Sequence, residues 1–65
     1  MKILTWNARV RKDLTLVELA KLTGISKSTL NNIENGKVIP KISQLEAIAK
    51  ATDTRIIELF ESEYK

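Results

Sequence analysis

The sequence predicts an all-α fold, a compact single domain of five short helices spanning residues 1–65. Three observations lead there. Sixty-five residues suffice for one domain with one modest core. Two Gly and one Pro are too few breaks for a sheet with many turns. Apolar residues recur three and four apart along much of the chain, the period of a helix face laid on a core.

The first helix is expected over about Leu4–Lys12. Leu4, Trp6, Ala8 and Val10 are not cleanly periodic, and an extended start at Lys2–Thr5 competes with it. The second covers Leu16–Leu22. Thr15 followed by Glu18 has the spacing of a capping box, with Leu16, Leu19 and Ala20 on one face and Gly24 as a left-handed stop. The third covers Lys27–Asn35. Ser26 is its natural cap, Leu30 and Ile33 its apolar side, and Gly36 its end. Lys37–Lys41 reads as a loop containing Pro40. The fourth helix, about Ile42–Thr52, shows an apolar stripe of Ile42, Leu45, Ile48 and Ala49, with Ser43 and Glu46 spaced as a second capping box. The fifth, about Arg55–Ser62, carries Ile56, Ile57, Leu59 and Phe60. Either Asp53 or Thr54 can cap it.

Composition narrows function. The chain contains no Cys and no His, so thiol chemistry is excluded, and the usual general base and commonest metal ligand are missing. No cofactor, metal or small-molecule ligand is expected. Glu58, Glu61 and Glu63 read as a solvated or dimer-rim face, with no nucleophile or ligand set beside them to suggest an enzyme. No apolar run is long enough for a membrane span and no secretory h-region opens the chain, so a cytoplasmic protein is expected. The net charge of +3 is unevenly placed. Residues 1–41 hold eight Lys or Arg against three acids, whereas residues 42–65 hold three against five. A polyanion partner is therefore expected for the first part of the chain only.

The second and third helices are separated by only about Thr23–Ser26, a connection containing Gly24. So short a link forces a sharp turn, and Ala20 supplies a small side chain where the two helices come closest. This is a helix-turn-helix, in which the second helix can lie in a DNA major groove while the first crosses the backbone.

The stretch from Leu14 to Lys37 resembles the phage repressor and Cro family of helix-turn-helix proteins (XRE family, Cro/C1 type), most specifically in Ile33-Glu34-Asn35-Gly36-Lys37. Pro40, the run from Leu45 to Ala51 and Glu58 to Phe60 are similar to the family's later elements, so the resemblance covers roughly residues 8–61. It implies a compact lambda-repressor-like domain with its motif at about residues 16–35, binding double-stranded DNA as a transcriptional regulator, foremost a repressor. Lys27, Ser28 and Asn32 match positions that touch base edges. Their chemistry agrees, because Lys can donate to guanine O6 and N7, and Asn can bond adenine bidentately. Thr29 offers a methyl to thymine, and Asn31 reaches toward phosphate. Asn35 and Lys37, with Lys41 more weakly, match backbone contacts. Thr15 and the amides that open the second helix at Leu16 present donors to a phosphate. Arg9 and Glu34 match a family ion pair that bridges the first and third helices and aims Arg9 toward phosphate. Glu34 itself reads as structural rather than catalytic.

Two departures stand out. Leu16 occupies a position that is usually Gln, and its side chain can neither contact phosphate nor brace the recognition helix. Packing on Trp6 or on a thymine methyl are its alternatives. Asp13 and Asp53 replace turn glycines, and Asp tolerates the left-handed conformation better than most residues. One recognition helix reads few base pairs, so a homodimer on a pseudo-palindromic operator is expected. Its surface would draw on Ile56, Phe60 and Tyr64, joined by Trp6 (a residue that also reads as core), Ile3 or Leu4. The alternative reading is an antitoxin or co-regulator that uses the same fold mainly to bind protein. Such a protein would show weak, salt-insensitive DNA association.

Overall fold

The computed structural model describes residues 1–65, all of the chain. Four helices form it: α1 (Thr5–Arg11), α2 (Leu16–Thr23), α3 (Lys27–Glu34) and α4 (Ile42–Thr52). A 3₁₀ turn at Ile56–Leu59 follows, and a two-stranded ladder of β1 (Lys2–Ile3) and β2 (Phe60–Glu61) closes the ends. The helical face spacing holds in the core. Ala8, Leu19, Leu30, Ile33, Leu45, Ile48, Ala49 and Leu59 are buried, drawn from every helix and the 3₁₀ turn. Leu14, Leu16, Ala20, Ile25, Ala51 and Ile56 pack around their edge.

Local chemistry sets the helix ends. The Glu18 amide donates to Thr15 Oγ1 at 3.0 Å, and Glu18 Oε1 accepts from the Thr15 amide at 2.9 Å, a complete capping box. Gly24 ends α2 at φ +74°, with its amide on the Ala20 carbonyl. Ser26 Oγ accepts from the Thr29 amide at 3.1 Å and opens α3. Asp13 (φ 60°) and Asp53 (φ 55°) both sit in the left-handed region, where the sequence substitutes Asp for Gly. The structure differs from expectation at the α4 cap. Helix α4 starts two residues early for a Ser43–Glu46 box, and Gln44 Oε1 instead accepts from the Lys41 amide at 2.8 Å.

The larger correction concerns the fifth helix, expected at Arg55–Ser62 with Asp53 or Thr54 as its cap. The fold has four α-helices, and this segment forms a 3₁₀ turn followed by a strand. Neither proposed cap is free. Asp53 ends α4 in the left-handed conformation, and the Thr54 hydroxyl is hydrogen-bonded to that of Thr52 at 3.0 Å. Arg55 is extended, its amide donating to Glu58 Oε2 at 2.9 Å. Phe60 (φ −157°, ψ 158°) then pairs antiparallel with Ile3, and Glu61 with Lys2. The domain remains mostly helical, as the all-α reading has it, with four helices in place of five, and the extended start that competed with the first helix is the ladder's other strand. The Leu4 amide donates to the Leu59 carbonyl at 2.8 Å, tying the α1 entrance to the turn. The local helical preference of 55–62 loses to a partner strand some sixty residues away, a tertiary override of propensity.

Candidate nucleic-acid interface

Helix α3 is two-sided. Leu30 and Ile33 are buried, while Lys27, Ser28, Asn31 and, just past the helix, Asn35 are exposed. Residues four apart share a helix face, so Lys27, Asn31 and Asn35 line one stripe with Ser28 beside it. Asn32 lies on the flank and is half-buried, and its carbonyl accepts from the Lys37 amide at 2.9 Å. Thr29 is also half-buried. Its hydroxyl accepts from Ser26 Oγ at 2.8 Å, so it forms part of the helix cap. Lys37 and Lys41 are exposed on the following loop, and neither has a carboxylate within ion-pair distance.

A bidentate ion pair anchors this helix. Arg9 Nε donates to Glu34 Oε2 at 2.7 Å and Nη2 to Glu34 Oε1 at 3.2 Å. Nη1 donates to the Leu14 carbonyl at 2.8 Å, a third contact that the sequence does not announce. The two side chains are only 13% and 5% exposed. Both prongs of the guanidinium fork are therefore spent inside the protein, which joins α1 and the α1–α2 turn to the end of α3. Arg9 is built first as a brace.

The N-terminus of α2 has a different character. Its box satisfies the Thr15 and Glu18 amides but leaves those of Leu16 and Val17 without an acceptor in the chain. Both point out of the helix start and carry the positive end of its dipole. The hydrogen bonds from Thr15 hold the Glu18 carboxyl below its ordinary range, with a smaller contribution from Lys21, so the box is charged near neutrality. The Leu16 side chain packs against the core edge, and Val17 stands exposed beside it.

Sequence reasoning overlooked the apolar surface next to this face. Ile39 is 82% exposed, with Val38 partly so, in the loop after α3, and Ile42, expected in the core stripe of the fourth helix, is instead 69% exposed because it lies in that helix's first turn. The signal was present as an apolar pair in a loop that has no core position to fill. The residues proposed for self-association divide. Trp6 and Tyr64 are exposed, at 51% and 90%. Ile56 packs on the chain's own core, and Phe60 is half-buried with the Lys65 ammonium 5.6 Å from its ring centre. No cluster of carboxylates is arranged to hold a metal ion, and no helix is long and apolar enough to cross a membrane.

A short turn between α2 and α3, a buried inner face on α3 and a polar outer one define a small helix-turn-helix domain. Comparison with protein families matches residues 7–59 to the helix-turn-helix family, and the chain belongs to it. The family is one of DNA-binding transcription regulators of XRE type. A search of curated proteins returns no match.

Proposed function

We propose that this protein is a sequence-specific transcriptional repressor. It acts by occupying an operator as a homodimer, with one α3 in the major groove of each half-site. The observation that carries this reading is the exposed stripe of Lys27, Ser28 and Asn31 on a helix whose opposite side is fully buried and whose end Arg9 and Glu34 hold rigidly. A rigid helix with free donors and acceptors along one edge can read base edges. Lys27, Ser28 and Asn32 are the proposed base readers, with Thr29 limited to its methyl group. Lys37, Asn35, Asn31 and Lys41, with the free amides at Leu16 and Val17 beside Thr15, are the proposed phosphate contacts. Arg9 supports them from behind. A two-fold pair would read half-sites about 34 Å apart.

Selection of bound sites from random duplex DNA tests this directly. A two-fold symmetric consensus with one-turn spacing is expected, and enrichment of no sequence would end the reading. On the selected site, Asn32→Ala should cost about 1–3 kcal/mol and relax one base position. Lys37→Ala should weaken all sequences alike and reduce the salt slope by about 1. Equal loss from Asn32→Ala on selected and random DNA would remove Asn32 from the base readers.

A further inference from the structure

Asn35-Gly36 is the chain's only Asn-Gly pair, and it sits where the recognition helix stops. Asn35 is exposed, and a Cβ built on Gly36 would meet nothing within 4 Å, so the space beside the Gly36 α-carbon is open. The Gly36 peptide nitrogen is an internal nucleophile for the Asn35 side chain, and glycine leaves it unshielded. The folded cap restrains it. The Gly36 amide donates to the Ile33 carbonyl at 3.1 Å and the Lys37 amide to the Asn32 carbonyl at 2.9 Å, with Gly36 at φ +73°. This double closure is a Schellman motif. Attack requires the Gly36 nitrogen to lose the proton that Ile33 holds, so the reaction waits for the last turn to open. Helix ends open locally at far lower cost than the whole domain.

We infer that Asn35 is a site of spontaneous deamidation, gated by opening of the α3 cap and suppressed when DNA holds that cap closed. The deprotonated Gly36 nitrogen forms a bond to Asn35 Cγ, the Cγ–Nδ2 bond breaks, and nitrogen leaves as ammonia after taking up a proton. Water then opens the cyclic imide at either carbonyl, leaving aspartate or isoaspartate. Solvent water is the only other reactant, and no oxidant is needed. Either product places a negative charge at the C-terminal end of α3, where the helix dipole disfavours it. Isoaspartate also lengthens the main chain by one carbon and breaks the cap geometry. The effect on DNA binding rests on the placement of Asn35 beside phosphate; the chemistry at residue 35 does not. Free protein would thus lose affinity with age while bound protein is spared.

The test incubates the full chain in native buffer, in urea and with saturating mixed-sequence duplex DNA, then maps aspartate and isoaspartate by peptide mass spectrometry. Conversion is expected at residue 35 and not at Asn7, Asn31 or Asn32. It should be fastest in urea, slower in the native chain, slowest with duplex, and faster as pH rises. Asn35→Asp should weaken binding to the same duplex about tenfold at low salt, and Asn35→Ser, which loses the amide contact without gaining a charge, should weaken it by less. Circular dichroism checks that both variants fold. An unmodified residue 35 in the native chain, after the urea sample has converted, would overturn the proposal. Equal rates with and without duplex would overturn its coupling to DNA. Wild-type affinity in Asn35→Asp would refute the placement of Asn35 beside phosphate and leave the modification site standing.

Discussion

The Glu34 carboxylate accepts from two nitrogens of Arg9 while itself only 5% exposed. Removing one member of such a pair leaves the other desolvated and under-bonded, which costs more than the pair contributes net. Glu34→Gln should therefore lower stability by about 2–3 kcal/mol in urea denaturation, and adding Arg9→Met should recover part of the loss. A Glu34→Gln change under about 0.5 kcal/mol would mean that the pair behaves as a surface one. Asp53 poses the opposite case. It ends α4 at φ 55°, a conformation that costs a residue with a Cβ roughly 1 kcal/mol. Asp53→Gly should raise stability by about 0.5–1 kcal/mol, and Asp53→Val should lower it. A destabilised Asp53→Gly would show that the carboxylate has work beyond the turn.

Helix α2 depends on its cap because eight residues are too few to be helical alone. Thr15→Ala should cost about 1 kcal/mol. The loss should be accompanied by weaker DNA binding, since the same change disorders the free amides at Leu16 and Val17. The Glu18 half of the box makes this pH-dependent. Its folded-state pKa is depressed, so its contribution is fully present above the ordinary glutamate value and is lost as pH falls through the depressed one. Glu61 behaves alike. A hydrogen bond from Lys65, reinforced by that residue's charge, holds its carboxyl low, so the β2 end loosens over the same acid range. Wild-type stability should fall on acidification in that range, and Glu18→Gln should flatten part of the fall. An unchanged acid profile in Glu18→Gln would remove the box as its source.

Eight buried apolar residues, two of them alanine, make a small core for any domain. Exposed Trp6, Ile57 and Tyr64 add apolar surface that this core does not use. Burying that surface between two copies would supply both the second recognition helix and the missing stability. Sedimentation over rising concentration should show a monomer–dimer equilibrium, with melting temperature increasing alongside. Tyr64→Glu and Trp6→Glu should shift it toward monomer. A monomer at every concentration, with or without operator, would instead assign these residues to the solvent.

Capping chemistry and face periodicity, both properties of the sequence alone, determined most of the helical frame. Thr15 with Glu18, Gly24, Ser26 and Gly36 mark their helix ends by local rules, because each bond they make spans only a few residues. The polar edge of α3 was legible for the same reason, since a helix displays its sequence at a known angle. What Arg55–Ser62 became was not legible. Apolar residues there suit a helix, a 3₁₀ turn or a strand, and the choice fell to contacts with Lys2–Leu4 at the opposite end of the chain. The Arg9 bond to the Leu14 carbonyl, the half-burial of Asn32 and the exposure of Ile39 and Ile42 were likewise decided only by packing. Local hydrogen bonds can be read along a chain; which surface meets which depends on closing the whole of it.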